Sequence, residues 1–585
     1  LNLAIERTPM TLRLAIAAVC VLALCLRLTG IDRELPQWHE PDPFSVSQMQ
    51  QLQRDPAASW DSGFEERYPQ LLSRTLALIP RGDVPAKVKP GEDALAVHLA
   101  TASQPFLRVR LAVAWLGTLL VPLTWLVARR FMRDSTALLS ALFVALSLLH
   151  LFFSQQARPH AAHASADWLV VWLALLVAER GSWGFVFAAG VAAGLAIALL
   201  QTGVFVLPPL CLSLLLMPRR WSERLACVVL VPFGALCLAS LYYVRLPYID
   251  SEGLHLAGAG SHTIASENVT GTGLAQWVSL LRMHDPVIAI LAACGAVLAA
   301  GRLATRRAHT SLHGRRALWI VAAYAVPYAA VISIDSEVYE RFLLPLMPCV
   351  AFCAAAAVMW AGERAGSLMS AISRGARGAR LAQGVVVALA ILAAIAQPAY
   401  AALRFVLAAR APDTYEQCVE WLEHEPHARS ARILVSPTFA VPVFWGEAGL
   451  RAHEEAERKT LMPWLIYQTL MPASERRPSF ELYAFPLEIM TREDTDTTPV
   501  KRLFERLQPE YVVIEAGPRT NYWPMLRALH QMAVAYGDLV FESHGESPDV
   551  ETLGPLEFQD VTDLAARIVK TRAFGPKILV YRIRH

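Results

Sequence analysis

The chain has 585 residues, 55% of them hydrophobic and 18% charged, with a formal net charge of +3. Soluble domains carry about 25% charged residues, and here long stretches carry none, so a soluble globular protein is excluded and a polytopic membrane protein with polar segments is expected. So small a net charge on so long a chain also argues against a nucleic-acid binder. Eight of the nine cysteines lie in apolar runs and only Cys418 lies in a polar region. With no CxxC pair, they read as small hydrophobes rather than a disulfide framework.

Residues 11–28 lack a small-residue cleavage site, and many more apolar runs follow, so they read as a membrane anchor and not a signal peptide. Further runs long enough to cross a bilayer fall near 108–128, 135–152, 160–178, 183–200, 204–217, 225–244, 282–301, 317–334, 342–361 and 382–403. About eleven spans are therefore expected. The short loops at 128–134, 218–224, 301–316 and 363–380 are rich in arginine and alternate with loops that are not. By the positive-inside rule they are cytoplasmic, which puts the N-terminus inside and residues 29–107, 245–281 and the tail outside.

Two pieces of the first external loop, 44–53 and 93–102, have helical patterning and are expected to lie along the membrane surface. The tail changes composition. Asp413 with Glu416 three residues later signals a helix start, and the stretches at 432–436, 510–516 and 577–583 read as strands. The expected organisation is a helical membrane domain over 1–408, including the loop 29–107, and a small external α/β domain over 409–585, packed on the bundle because no Gly/Ser linker separates them.

Three motifs carry chemistry. The first is "HEPDP", 39–43, directly after the first span. Glu40 and Asp42 at a membrane–water boundary suit proton abstraction, because partial desolvation makes a carboxylate a better base; a stiff solvated turn built by Pro36, Pro41 and Pro43 is the competing reading. The second is "SQQARPHAAHASAD", 154–167. His160, His163 and Asp167 share one helical face and are metal-ligand candidates, or else snorkel and pair with neighbouring helices. Arg158 suits a phosphate or a lipid headgroup. The third is "VYERFLLPLMP", 338–348, where Pro345 and Pro348 should break the helix start and free backbone groups, and Arg341 is a second phosphate candidate or an anchor.

The order of these parts resembles the GT-C membrane glycosyltransferases, in the bacterial protein-mannosyltransferase-like group that includes the aminoarabinose transferases of lipid A. The residues that carry the likeness are "HEPDP" (39–43), "RYPQLL" with Tyr68 and Pro69, the span 108–131, "SQQARPH" (154–160), "RFLLPLMP" (341–348) and the tail start 413–422. The resemblance implies transfer of a sugar from a polyprenyl-phosphate donor to an acceptor hydroxyl on the outer face, with inversion. It implies a carboxylate base, Asp42 or Glu40, and donor-phosphate contacts from Arg158 and Arg341. His39, Tyr68, His160 and Tyr339 are the expected cavity residues. The partners would be the lipid-linked sugar, an acceptor glycan, lipid or protein, and the bilayer of a bacterial inner membrane. No cofactor is assigned; a divalent metal ion is an option, with His160, His163 and Asp167 as candidates. Two departures stand out: Pro43 follows Asp42, and Gln201 stands where relatives often carry Lys or Arg. They keep two alternatives open, a flippase for lipid-linked sugars and a non-catalytic glycan-binding relative.

Overall fold

Inside a bilayer a backbone must satisfy its own polar groups, so apolar runs of this length fold as helices. The computed structural model of the chain describes residues 9–35, 44–54, 69–79, 92–242, 248–250, 253–255, 263–265, 271–304, 312–335, 338–372, 376–436, 442–456, 496–516, 523–543 and 564–584, with parts of 465–492. Each expected apolar run falls on a described helix. Seven described helices are long and apolar enough to cross a membrane, or eight if the pair Asp134–Leu146 and Leu148–Ser154, bent by 54°, is one span. Trp183–Leu199, Gln201–Leu216 and Pro286–Gly301 are shorter apolar helices. The chain is a multi-pass membrane protein by this measure.

The helices used below are α1 (Met10–Leu28), α2 (Phe44–Arg54), α3 (Leu71–Ala77), α4 (Ala94–Thr118), α5 (Leu120–Ala128), α6 (Asp134–Leu146), α7 (Leu148–Ser154), α8 (His160–Arg180) and α9 (Trp183–Leu199). They are followed by α10 (Leu207–Leu216), α11 (Trp221–Ser240), α12 (Gly273–His284), α13 (Pro286–Ala304), α14 (Leu312–Ile334), α15 (Met347–Ile372) and α16 (Ala376–Arg410). Two 3-10 turns, Gln201–Val206 and Glu340–Leu346, interrupt the series.

The first loop differs from expectation in one respect. Residues 93–102 are not a separate surface helix but the first turns of α4, which Asp93 caps by accepting from Leu95 N at 3.0 Å. Ala102, Phe106, Val109 and Val113 form one buried stripe, and its burial carries the helix through Pro105, whose missing N–H would otherwise favour a break. The expected helix at 44–53 is present as α2, with Val46, Met49 and Leu52 buried. A three-stranded antiparallel sheet, β1 (Tyr248–Asp250), β2 (Gly253–His255) and β3 (Thr263–Ala265), lies in the loop 245–281, where no strand was expected.

The tail forms a six-stranded sheet of β4 (Arg432–Val435), β5 (Phe444–Trp445), β6 (Ser479–Ala484), β7 (Tyr511–Ala516), β8 (Gly537–Glu542) and β9 (Lys577–Ile583), in the order β5-β6-β4-β7-β9-β8. The expected strands are three adjacent members of it: β4 (Arg432–Val435), β7 (Tyr511–Ala516) and β9 (Lys577–Ile583), with β4 and β7 parallel and β7 and β9 antiparallel. Their near-continuous apolar runs follow from burial on both faces. Ile433, Val513 and Val580 enter one hydrophobic cluster, and Leu434, Val512 and Leu579 the other. The chain enters this region through α17 (Thr414–His424), which starts in a capping box: Asp413 accepts from Tyr415 N at 2.9 Å and Glu416 N at 2.8 Å, and Glu416 accepts from Asp413 N at 3.2 Å. Replacing Asp413 with alanine should cost about 1 kcal/mol, seen as a lower thermal unfolding midpoint of the purified protein. Near the chain's other end a helix at Leu564–Lys570 returns to the bundle, where Leu564, Ala565, Ile568 and Phe574 join its main core.

Candidate active site at the broken end of the bundle

Four interruptions in the helices define the site. The first is the kink at Ser147 between α6 and α7. A helix bent there loses the bonds from Leu148 N and Leu149 N to the carbonyls of Val144 and Ala145, and both sets of groups are buried. Side chains from other elements replace the partners. Asp285, between α12 and α13, accepts from Ser147 Oγ (2.7 Å), Leu148 N (2.8 Å) and Leu149 N (3.3 Å). Arg27 of α1, fully buried, donates to Val144 O (3.3 Å), Ala145 O (3.4 Å) and Ala23 O (2.9 Å), contacts His150 Nδ1 (2.9 Å) and donates to Ser154 Oγ (3.3 Å). Carboxylate on orphan donors and guanidinium on orphan carbonyls is the arrangement that helix-end partial charges favour.

The second interruption is 155–159, between α7 and α8. Gln155 Nε2 donates to Leu26 O (3.1 Å) and Thr29 O (2.9 Å), and Arg33 donates to Gln155 Oε1. Arg33 also lies over the rings of Phe405 and Phe574, 5.2 and 4.9 Å from their centroids, a favourable cation–π placement. Arg110 of α4 holds the same turn by donating to Ile31 O (2.9 Å) and Arg33 O (2.8 Å). Thus the turn that leaves α1 is fastened both to the segment carrying Arg158 and to α4. Arg158 and His160 are buried, each 3% exposed. Pro159 is the cap residue of α8, and His160 is its first helical residue.

The third interruption is the 3-10 turn Gln201–Val206, and the fourth is Glu340–Leu346, with Pro345 inside it as the sequence required. Arg341 is buried, with Tyr339 and Phe342 beneath its guanidinium at 4.5 and 5.3 Å. Trp168 of α8 donates to Pro345 O at 2.8 Å, and the turn packs on α7 and α8. The two candidate phosphate arginines therefore stand on neighbouring helix breaks.

His39, Glu40, Asp42 and Tyr68 lie outside the described residues. Their flanks do not. Leu35 and Val46, on either side of 36–43, pack in one cluster with Met49, Leu72, Leu76, Phe106, Ala157, Ala161 and Leu199. Ala157 adjoins Arg158, so both ends of the acidic segment converge on the arginine-bearing break.

The metal reading does not hold for its three candidates together. His163 Nε2 is 3.4 Å from Asp167 Oδ1, and Asp167 Oδ2 accepts from Tyr324 OH at 2.6 Å. Among the described residues no group of three or more His, Cys, Asp or Glu side chains could hold a metal ion. The shared face of His160, His163 and Asp167 serves instead, through Asp167 and Tyr324, to join α8 to α14.

Sequence reasoning missed Arg27, Arg33, Arg110, Gln155, Trp168 and Asp285. An ionisable residue inside a span is a functional or structural marker by default, and Arg27 and Asp285 stood within or beside expected spans. Their partners are backbone groups of distant helices, which no spacing rule shows.

What this geometry defines is a class: a helical membrane protein with broken spans at one end, joined to an α/β sheet domain. Residues 94–243 match the family model described as dolichyl-phosphate-mannose-protein mannosyltransferase, a stretch that runs from α4 to the end of α11 and contains Arg158 and Gln201. This agrees with the resemblance carried by the motifs, which is to enzymes using lipid-linked sugars. No curated protein matches the sequence. Among solved structures, the oligosaccharyltransferase AglB from Archaeoglobus fulgidus, in complex with an inhibitory peptide and a dolichol-phosphate, is 13% identical with a TM-score of 0.47, over 92% of this chain and 73% of that one. ArnT from Cupriavidus metallidurans in the apo state is 13% identical with a TM-score of 0.43, over 97% of each chain. Bound to undecaprenyl phosphate, ArnT is 14% identical with a TM-score of 0.39, over 88% of this chain and 94% of that one. Likenesses of this size carry no functional argument by themselves.

Proposed function

We propose that this chain is a glycosyltransferase that moves a sugar from a polyprenyl-phosphate donor to an acceptor hydroxyl on the outer, periplasmic side of a bacterial inner membrane. The observation that carries the reading is the convergence of Leu35, Val46 and Ala157 in one cluster. Leu35 and Val46 flank the segment bearing Glu40 and Asp42, and Ala157 precedes Arg158, so the shared cluster supports a base and a phosphate-binding arginine in one site. A lipid donor keeps its phosphate at the membrane–water boundary, so its chemistry needs a base and cations at that depth. Asp42 or Glu40 takes the proton of the acceptor hydroxyl as it attacks the anomeric carbon from the face opposite the phosphate, and the configuration inverts. Arg158 and Arg341 meet the phosphate as it departs with growing negative charge. The family description of residues 94–243 supports a donor of the polyprenyl-phosphate-sugar type. His39, Tyr68, His160 and Tyr339 belong to the walls of the cavity in this reading, the N-terminus is cytoplasmic, and residues 409–585 are the external domain.

The test uses the purified full chain in lipid nanodiscs with a polyprenyl-phosphate hexose. Replacing Arg158 or Arg341 with alanine should weaken donor binding roughly 10- to 100-fold, the worth of one charge-assisted contact. Unaltered donor affinity in both variants would remove the arginines from the site.

A further inference from the structure

Among the described residues, three side-chain oxygens at the broken end have no hydrogen-bond partner: Oε1 of Gln156, Oε1 of Gln201 and Oγ1 of Thr202. Gln156 is 4% exposed and Gln201 3%. A buried acceptor left unpaired is costly and uncommon, and calls for a water or a ligand that donates to it. Chain neighbours of the three share one cluster. Gln156 stands two residues before Arg158. Gln201 and Thr202 open the 3-10 turn after α9; Leu199, just ahead of them, shares a cluster with Ala157 and Ala161, and the turn packs on α8. Gly203 seats that turn against α9, because a Cβ there would lie 2.7 Å from the Ala196 carbonyl.

The chemistry of the set narrows the ligand. Two of the atoms are uncharged acceptors, and the third, the Thr202 hydroxyl, both accepts and donates. A sugar hydroxyl donates to such an atom and pays no ionic desolvation. An ammonium group buried there would need a carboxylate partner, and phosphate oxygens bring no donor to the two carboxamide oxygens, whereas a sugar hydroxyl serves them and the Thr202 hydroxyl alike. We propose that Gln156, Gln201 and Thr202 form a subsite for the hydroxyl groups of an uncharged sugar, beside the arginine that takes the donor phosphate. This rests on the glycosyltransferase reading above and adds the class of sugar.

The experiment compares two probes on the full chain in nanodiscs: undecaprenyl phosphate and undecaprenyl-phosphate glucose. The wild-type protein should bind the glycosylated lipid more tightly than the bare one. Gln201→Met and Gln156→Met, close in size and shape, should each lose about tenfold of that gain and leave affinity for the bare lipid unchanged. Their thermal midpoints should hold or rise, because an unpaired buried acceptor has been removed. A preserved gain in both variants means the atoms are served by water alone and overturns the subsite. A fall in both midpoints means the carboxamides have structural partners and overturns it equally. If the wild-type protein binds both lipids alike, the subsite fails and the donor reading stands; if it binds neither, the donor reading itself fails.

Discussion

Combining Asp42→Asn with Glu40→Gln should yield a protein that still binds the donor lipid but transfers its sugar roughly 10²- to 10⁴-fold more slowly, the usual worth of a positioned general base. The substitutions keep shape and remove only the proton acceptor. Arg110 holds the carbonyls of Ile31 and Arg33, Arg33 donates to Gln155, and Leu35 packs against the cluster that includes Ala157. The chain then enters 36–43 from a fixed start and leaves it into α2, whose Val46 and Met49 are held by the same cluster. The measurement is single-turnover transfer with donor affinity determined in parallel, and the two single variants then tell which carboxylate is the base. Transfer at the wild-type rate in the double variant would sink the assignment and return the flippase alternative to first place.

The second large effect is expected at Arg27. Arg27→Met should lower stability by on the order of 3 kcal/mol, since it strands the Val144 and Ala145 carbonyls at the kink, each costing about 1–3 kcal/mol when left buried and unpaired. Lysine should rescue only part of this, because one ammonium cannot span the carbonyls, His150 and Ser154 as the guanidinium fork does. Thermal unfolding in detergent checks it. An Arg27→Met midpoint equal to that of the wild type would show that the α6–α7 bend does not depend on this side chain.

Much of this architecture was legible because it is written in local rules. The apolar runs give the helices. Asp413 and Glu416 give the start of α17, and Pro345 gives the turn that bears Arg341. The three strands of the tail are apolar because both sheet faces are covered. What escaped reading depends on partners far away in the chain. The helix expected at 93–102 is continuous with the span that follows, because the buried stripe from Ala102 to Val113 carries it through Pro105. His160, His163 and Asp167 sit at ligand-like spacing, yet Asp167 turns to Tyr324, 157 residues away. The kink at Ser147 is invisible in "VALSLLHLFF", since its supports are Arg27 and Asp285 on other helices. Of the candidate site, the arginine-bearing breaks were readable from proline and arginine placement. Their adjacency was not, because it rests on Trp168 reaching Pro345 and on the packing of the turn Glu340–Leu346 against α7 and α8.

Arg33 has a wider bearing. Its guanidinium lies over Phe405 of α16 and Phe574, three residues before β9, so the doorway to the acidic segment is built jointly by the bundle and by the sheet at the far end of the polypeptide. Neither half is self-sufficient. Expressed alone, the tail would present Leu564, Ile568 and Phe574 to water as a sticky apolar face; expressed alone, the membrane half would keep its arginine but lose one of the two rings that steady it.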